Sequence, residues 1–195
     1  MTRIRSIAVY AASSSQVPQP FFDAARGLGA AMACRNIRLV YGAGKVGLMG
    51  ALSDACLEHG GAVTGVIPAF MVRNGWCRDN LTELIETPCM HSRKEKIVSL
   101  GDATIALPGG CGTLEELLEI ITWKQLGLYD KPIVILNTCG FFSPLLEMFD
   151  RAIENRFMRS LHRSLWSVAE TPEEALTLAE TTPLWDTSVA KMAQI

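Results

Sequence analysis

The sequence predicts an α/β protein in which a parallel sheet carries helices on both faces. Two observations predict it. Short apolar runs alternate with longer segments of helical period along nearly the whole chain, the pattern of strands joined by helical crossovers. Three of these runs end in turns rich in glycine or serine ahead of a helical pattern: Ala12–Ser15, Gly42–Gly47 and Pro108–Thr113. In an open parallel sheet, ligands bind beyond the carboxyl ends of the strands, where such turns converge.

Each element has its own signal. Ile4–Ala11 reads as a buried strand, and Pro20–Arg35 as a helix with Ala24, Ala25, Leu28, Ala31 and Met32 on one side. Ile37–Tyr41 is a second strand. Gly47–His59 is helical until Gly60 and Gly61 stop it. Ala62–Ile67 is a third strand ended by Pro68, and Leu81–Glu86 a short one. Ser92–Leu100 is a helix, Ala103–Leu107 a strand and Thr113–Leu126 a helix. Pro132–Leu136, Phe142–Asn155, Leu165–Val168 and Pro172–Glu180 continue the alternation. Ala69–Asn80 is polar and irregular, contains Trp76, and is expected to be a mobile loop. No internal repeat or linker interrupts the pattern. The expectation is one Rossmann-like nucleotide-binding domain over 1–195, with 181–195 as a C-terminal tail.

Bulk properties narrow the function. The 195 residues are 49% hydrophobic and 19% charged, a globular composition. A formal net charge of -2 argues against a broad nucleic-acid or anionic-membrane surface, so a phosphate-bearing partner is expected to be small and held locally. No apolar stretch reaches the length of a membrane span. Ile7–Ala12, behind Arg3 and Arg5, is short for a leader, and Ser13–Ser15 suits a phosphate turn after a strand. The six cysteines, Cys34, Cys56, Cys77, Cys89, Cys111 and Cys139, form no CxxC pair and no zinc-type spacing. They fit reduced thiols in a cytoplasmic protein, and no metal or other cofactor is expected.

Pro108-Gly109-Gly110-Cys111-Gly112-Thr113 is the most informative segment. Glycines let backbone N–H groups face outward, and the following helix adds its unpaired N–H groups and the positive end of its dipole. Together they form an anion pocket suited to a phosphate. Glu115 and Glu116 stand at its edge, where carboxylates suggest chemistry as well as binding. Thr113-Leu114-Glu115-Glu116 also fits a capping box, so Glu116 is open to a capping role, a catalytic role, or both.

Gly42-Ala43-Gly44-Lys45-Val46-Gly47 fits a GxGxxG dinucleotide turn. The acidic residue that reading needs about 20 residues on is missing from Ala62–Pro68, and the turn follows the second strand. Lys45 precedes Val46 where a P-loop needs Ser or Thr. A second close-approach turn around a nucleotide fits better than either, with a purely conformational role as the alternative. Gly42, Gly44 and Gly47, with Ser13 and Met49 beside them, are therefore counted among the substrate-binding residues. Arg93 and Lys94 put positive charge into the first turn of a helix, against its dipole, so an anion is expected to compensate. In the helix after the Pro108 turn, Leu114, Leu117, Leu118 and Ile121 share one side while Ile120 and Trp123 point elsewhere. One side is expected to meet the sheet. The other is left for a second copy of the chain or for the chain's own C-terminal segment.

Pro-Gly-Gly-x-Gly-Thr-x-x-Glu over 108–116, with Arg93-Lys94 upstream, resembles the LOG ("lonely guy") family of cytokinin riboside 5′-monophosphate phosphoribohydrolases. Tyr41–Gly44, Gly47–Gly50, Gly65–Pro68, Ile121–Trp123 and Gln125–Gly127 are similar to further family stretches, and the likeness runs from about Ile4 to Asp150. The resemblance implies a Rossmann-like homodimer that hydrolyses the N-glycosidic bond of a nucleoside 5′-monophosphate to free base and ribose 5-phosphate. It implies Arg93 and Glu116 as the catalytic pair. It also implies Lys94, Gly109, Gly110, Gly112, Thr113, Glu115 and Thr122 as substrate-binding positions. Some relatives carry Glu where this chain has Gly75, which bears on base preference. The lysine decarboxylase label often given to the family finds no lysine marked for a pyridoxal phosphate Schiff base. A non-catalytic carrier of a nucleotide-like cofactor in the same superfamily is the alternative, and retention of both Arg93 and Glu116 favours the enzyme.

Overall fold

The computed structural model describes residues 4–188. Its strands are β1 (Ser6–Tyr10), β2 (Arg38–Tyr41), β3 (Val63–Pro68), β4 (Glu83–Thr87), β5 (Ala103–Ala106), β6 (Ile133–Leu136) and β7 (Ser167–Ala169). Its helices are α1 (Gln19–Cys34), α2 (Gly47–Glu58), α3 (Ala69–Arg73), α4 (Met90–Leu100), α5 (Cys111–Gln125), α6 (Ser143–Glu154) and α7 (Pro172–Thr181). The strands form one seven-stranded sheet in the order β4-β3-β2-β1-β5-β6-β7, every pairing parallel. This is the Rossmann-like α/β architecture that the alternation predicts.

Alternation within strands builds the two faces. Ile7 and Val9 of β1 point to one side, where they pack with Leu28 and Met32 of α1, Leu48 and Leu52 of α2 and Leu176 of α7. Ala8 and Tyr10 point to the other, with Ile97 of α4, Leu117, Ile120 and Ile121 of α5 and Phe149 of α6. Chain order reverses between β1 and β5, so the helices that follow these adjacent strands lie on opposite faces. A crevice opens at their carboxyl ends, the usual ligand position in such sheets. The turns after β1, β2 and β5 stand there together.

Three expectations are corrected. Pro68 is the last residue of β3, not its stop: at the end of a strand its missing N–H disrupts little. Residues 69–80 are not an irregular loop throughout, because they begin with α3 and include a bridge between Cys77 and Gly44. The helix after the Pro108 turn starts two residues before Thr113, at Cys111. In the tail, the Trp185 N–H donates to the Asp130 carbonyl at 2.7 Å and its side chain packs against the second core cluster. The remainder of the expected tail, 189–195, and Arg3 lie outside the described residues.

Candidate active site

The glycine turn after β5 leads straight into the N-terminus of α5. Gly110 is the N-cap of α5, and the first i→i−4 bond runs from the Leu114 N–H to the Gly110 carbonyl at 3.0 Å. The N–H groups of Cys111, Gly112 and Thr113 precede that ladder and have no partner within the helix. A Cβ on Gly110 or Gly112 would meet nothing within 4 Å. Gly109 differs, since a Cβ there would lie 2.1 Å from Thr113 Oγ1, so the buried Thr113 side chain closes the turn from beneath.

The early start of α5 removes the capping box. With Gly110 at the N-cap, Thr113 and Glu116 are not in capping register, and no side chain caps the helix. Glu116 instead projects from the second turn to Arg93, with Glu116 Oε1 3.1 Å from Arg93 Nη1. Arg93 comes from the first turn of α4 and is 7% exposed. Its Nε donates to the Val66 carbonyl at 3.2 Å and its Nη2 to the Gly42 carbonyl at 3.4 Å. All three nitrogens of the guanidinium are thus used, and two carbonyls and a carboxylate offset its unfavourable place in the helix dipole. Gly42 is required for this: a Cβ there would fall 1.8 Å from Arg93 Nη2.

Burial pushes the Glu116 carboxyl above its ordinary value, Arg93 pulls it down, and the nearby Glu115 charge raises it again. Tyr10, buried at the end of β1, has its phenol raised by burial and then by the Glu116 charge. A carboxylate held at low water access beside a cation, with a displaced proton affinity, is the kind of group that catalytic sites use.

Lys94 is taken up by two carboxylates of α5. Its Nζ bonds to Glu115 Oε1 and, at 2.9 Å, to Glu119 Oε1. Burial alone would lower the Lys94 ammonium, but the hydrogen bonds it donates to Glu115 and Glu119 hold it above its ordinary value. Thr122 is exposed farther along α5, where its hydroxyl donates to the Leu118 carbonyl at 2.8 Å. Ser13 is exposed on the turn after β1, in contact range of Gly47: a Cβ at Gly47 would lie 2.5 Å from the Ser13 carbonyl carbon. Met49 donates its N–H to the Ala12 carbonyl at 3.2 Å and fills the space above Gly44, where a Cβ would lie 2.6 Å from Met49 Cε. Gly42 and Gly44 are thus packed against the protein's own side chains. The apolar division of α5 is also corrected. Leu117, Ile120 and Ile121 form one buried face with Leu114 and Trp123 at its margins, while Leu118 is 41% exposed.

Tyr10, Glu119 and the Val66 carbonyl were not marked in the sequence. Neither was a pin on the loop after β3: the Arg78 N–H donates to the Ala43 carbonyl at 2.8 Å, and the Arg78 guanidinium pairs with Asp54 of α2. A strand end beside a serine turn is a signal for Tyr10. Arg78 and Asp54 carry none, being in different elements without shared periodicity. The cavity between α4 and α5, about 500 Å³, has Glu119 on its wall one turn along from Glu116.

A family model described as "Possible lysine decarboxylase" matches residues 49–179. The probable cytokinin riboside 5′-monophosphate phosphoribohydrolase of Oryza sativa subsp. japonica is 43% identical over 192 residues, covering 98% of this chain and 79% of that protein. A cytokinin riboside 5′-monophosphate phosphoribohydrolase of Arabidopsis thaliana is 42% identical over 192 residues, covering 98% of this chain and 90% of its own length. Among solved structures, the molybdenum cofactor carrier protein of Chlamydomonas reinhardtii superposes with a TM-score of 0.70 at 21% identity, over 92% of this chain and 98% of that one. The molybdenum cofactor binding protein of Rippkaea orientalis gives 0.68 at 23% identity, over 91% and 96%. These two likenesses concern the fold alone. The identities with the plant proteins, spread over almost the whole sequence, show that the chain belongs to the LOG family of cytokinin riboside 5′-monophosphate phosphoribohydrolases.

Proposed function

We propose that this protein is an N-glycosyl hydrolase that cleaves adenosine 5′-monophosphates, N6-substituted ones included, to the free base and ribose 5-phosphate. The observation that carries the reading is the buried Arg93–Glu116 pair set beside a helix N-terminus whose Gly110 and Gly112 face open space. The N–H groups of 111–113 hold the 5′-phosphate, and that remote binding fixes the sugar for attack. As the C1′–N bond breaks, positive charge develops on the ribose, and the Glu116 carboxylate stabilises it. Glu116 also takes a proton from the attacking water. The water oxygen bonds to C1′, and the base leaves with the electron pair of the broken bond and takes up one proton, balancing the one that Glu116 accepted from the water and then releases. Arg93 orients Glu116 by its bond to Oε1 and lowers the proton affinity that burial raises. Glu115, with 55% of its side chain exposed and paired with Lys94, is assigned to the ribose hydroxyls. The chemistry is assigned to side chains, with no metal or cofactor step.

The active form is a homodimer in the cytoplasm. Leu118 and Leu126, 41% and 52% exposed on the outward side of α5, offer an apolar face for a second copy next to the site. All six cysteines are free thiols, as a reducing compartment keeps them. Among the described residues no helix is long and apolar enough to cross a membrane.

Incubation with AMP and with N6-isopentenyladenosine monophosphate, followed by chromatography of the free base, tests the activity. Glu116→Gln keeps the hydrogen bond to Arg93 but loses the charge. It is expected to lower turnover by at least about 10²-fold while a phosphate ligand still binds. Absence of base release from every purine and pyrimidine monophosphate overturns the reading in favour of a carrier.

A further inference from the structure

The loop after β3 has an architecture that the reaction as described does not use. Residues 74–80 follow α3 and cross over the turn after β2. They are fastened twice: to the turn by the bridge between Cys77 and Gly44, of which the Arg78 N–H bond to the Ala43 carbonyl is a part, and to α2 by the Arg78–Asp54 ion pair. The Arg78 side chain is only 19% exposed, so the pin is partly sheltered from water. The turn it grips is the one whose Gly42 carbonyl receives Arg93, the partner of Glu116. One residue before this fastened stretch, Trp76 leaves its indole 53% exposed. Val46, on the gripped turn, is 52% exposed and Phe70 at the start of α3 is 41% exposed. Trp76 packs against neither core cluster.

The direction of a bound nucleotide follows from the sheet. The phosphate turn stands at the end of β5, and the loop after β3 lies three strand positions away, past β1 and β2. At about 4.8 Å per strand that is about 14 Å, comparable to the reach of a nucleoside monophosphate from its phosphate to the far edge of its base. Arg93, which bonds to the Gly42 carbonyl past the end of β2, and its partner Glu116 fall between the two. With the phosphate at β5 and the anomeric carbon at Glu116, the base extends toward Trp76.

We propose that Trp76 is a base-binding residue that covers one face of the base, with the Arg78–Asp54 pin as the positioning element that holds it there. The inference rests on the nucleotide hydrolase reading and goes beyond it in assigning base recognition to this chain's own loop. A π-face of this kind accepts any purine and does not distinguish exocyclic groups, whereas a ribose phosphate without a base gains nothing from it.

The test compares Trp76→Ala and Trp76→Phe with the parent. Because the side chain is half exposed, both variants are expected to keep the melting temperature. Trp76→Ala should raise KM for AMP about tenfold or more with kcat nearly unchanged, and Trp76→Phe should recover most of it. In the Glu116→Gln background, AMP should quench tryptophan fluorescence, ribose 5-phosphate should not, and the AMP quench should vanish in Trp76→Phe. An unchanged KM in Trp76→Ala, or a quench that survives the loss of Trp76, overturns the assignment. A parent that releases no base but shows the Trp76-dependent quench upholds the base contact while removing the hydrolase reading, so the two failures are separable.

Discussion

The two glycine turns look alike in sequence and differ in what their glycines are for. In the turn after β2, absent side chains make room for the protein itself. A Cβ at Gly42 would run into Arg93, one at Gly44 into Met49, and one at Gly47 into the backbone of Ser13, with Gly47 also at φ +65°. In the turn after β5, Gly109 is packed by Thr113, but Gly110 and Gly112 border empty space, and the Gly110 backbone is one that any residue adopts. A glycine whose missing side chain is compensated by nothing in the protein marks room left for something else. On the proposed reading, the first turn sets Arg93 against Glu116, and the second is left for the ligand.

The sharpest break of this comparison is Gly42→Ala. The added methyl occupies the position of Arg93 Nη2, so the guanidinium must leave Glu116, the Gly42 carbonyl, or both. Displacement of a catalytic constellation by an ångström costs about 10²-fold, and kcat/KM for base release should fall by that order. A smaller effect of opposite character is expected from Gly112→Ala. Position 112 lies in the first turn of α5, where alanine is the better helix former, so thermal stability should hold or rise slightly. The methyl enters the phosphate's space, and KM should rise about tenfold. Equal stability losses in the two variants, measured by thermal melts, would erase the distinction drawn between the turns.

The same contrast explains what the sequence disclosed. Sheet and helices were legible because apolar alternation and glycine stops are local signals, and the Arg93–Glu116 pair was reached through its motif. Alignment of a side chain in space was not legible. Thr113 with Glu116 three residues on is a good capping signature, yet the chain starts α5 at Gly110 and leaves Glu116 for Arg93. Lys94 carried the charge for a phosphate, but Glu115 and Glu119 stand one helical turn apart on the facing helix and take it. Leu118 falls on the apolar arc of α5 by periodicity, yet it is 41% exposed while Leu117 and Ile121 are buried. The short α3 has too few residues for a period, and the Arg78–Asp54 pin joins two elements that nothing in the sequence associates.

The finest test of the comparison is the acid limb of the pH–rate profile. Glu116 must be ionised to act, and burial, helped by Glu115, raises its proton affinity against the pull of Arg93. Activity should therefore fall, as pH drops, at a midpoint above the ordinary glutamate value of about 4.3. The linked stability has the opposite sense. With the folded pKa above the unfolded one, protonation favours the folded state fully below the unfolded value, and that contribution is lost as pH rises through the folded one. Gly42→Ala loosens the cation that restrains Glu116, so its acid limb should move to still higher pH. Gly112→Ala leaves Arg93 untouched and should keep the parent's limb while KM changes. A limb that moves with Gly112→Ala and stays with Gly42→Ala would mean that the turn after β5, rather than Arg93, governs the carboxylate.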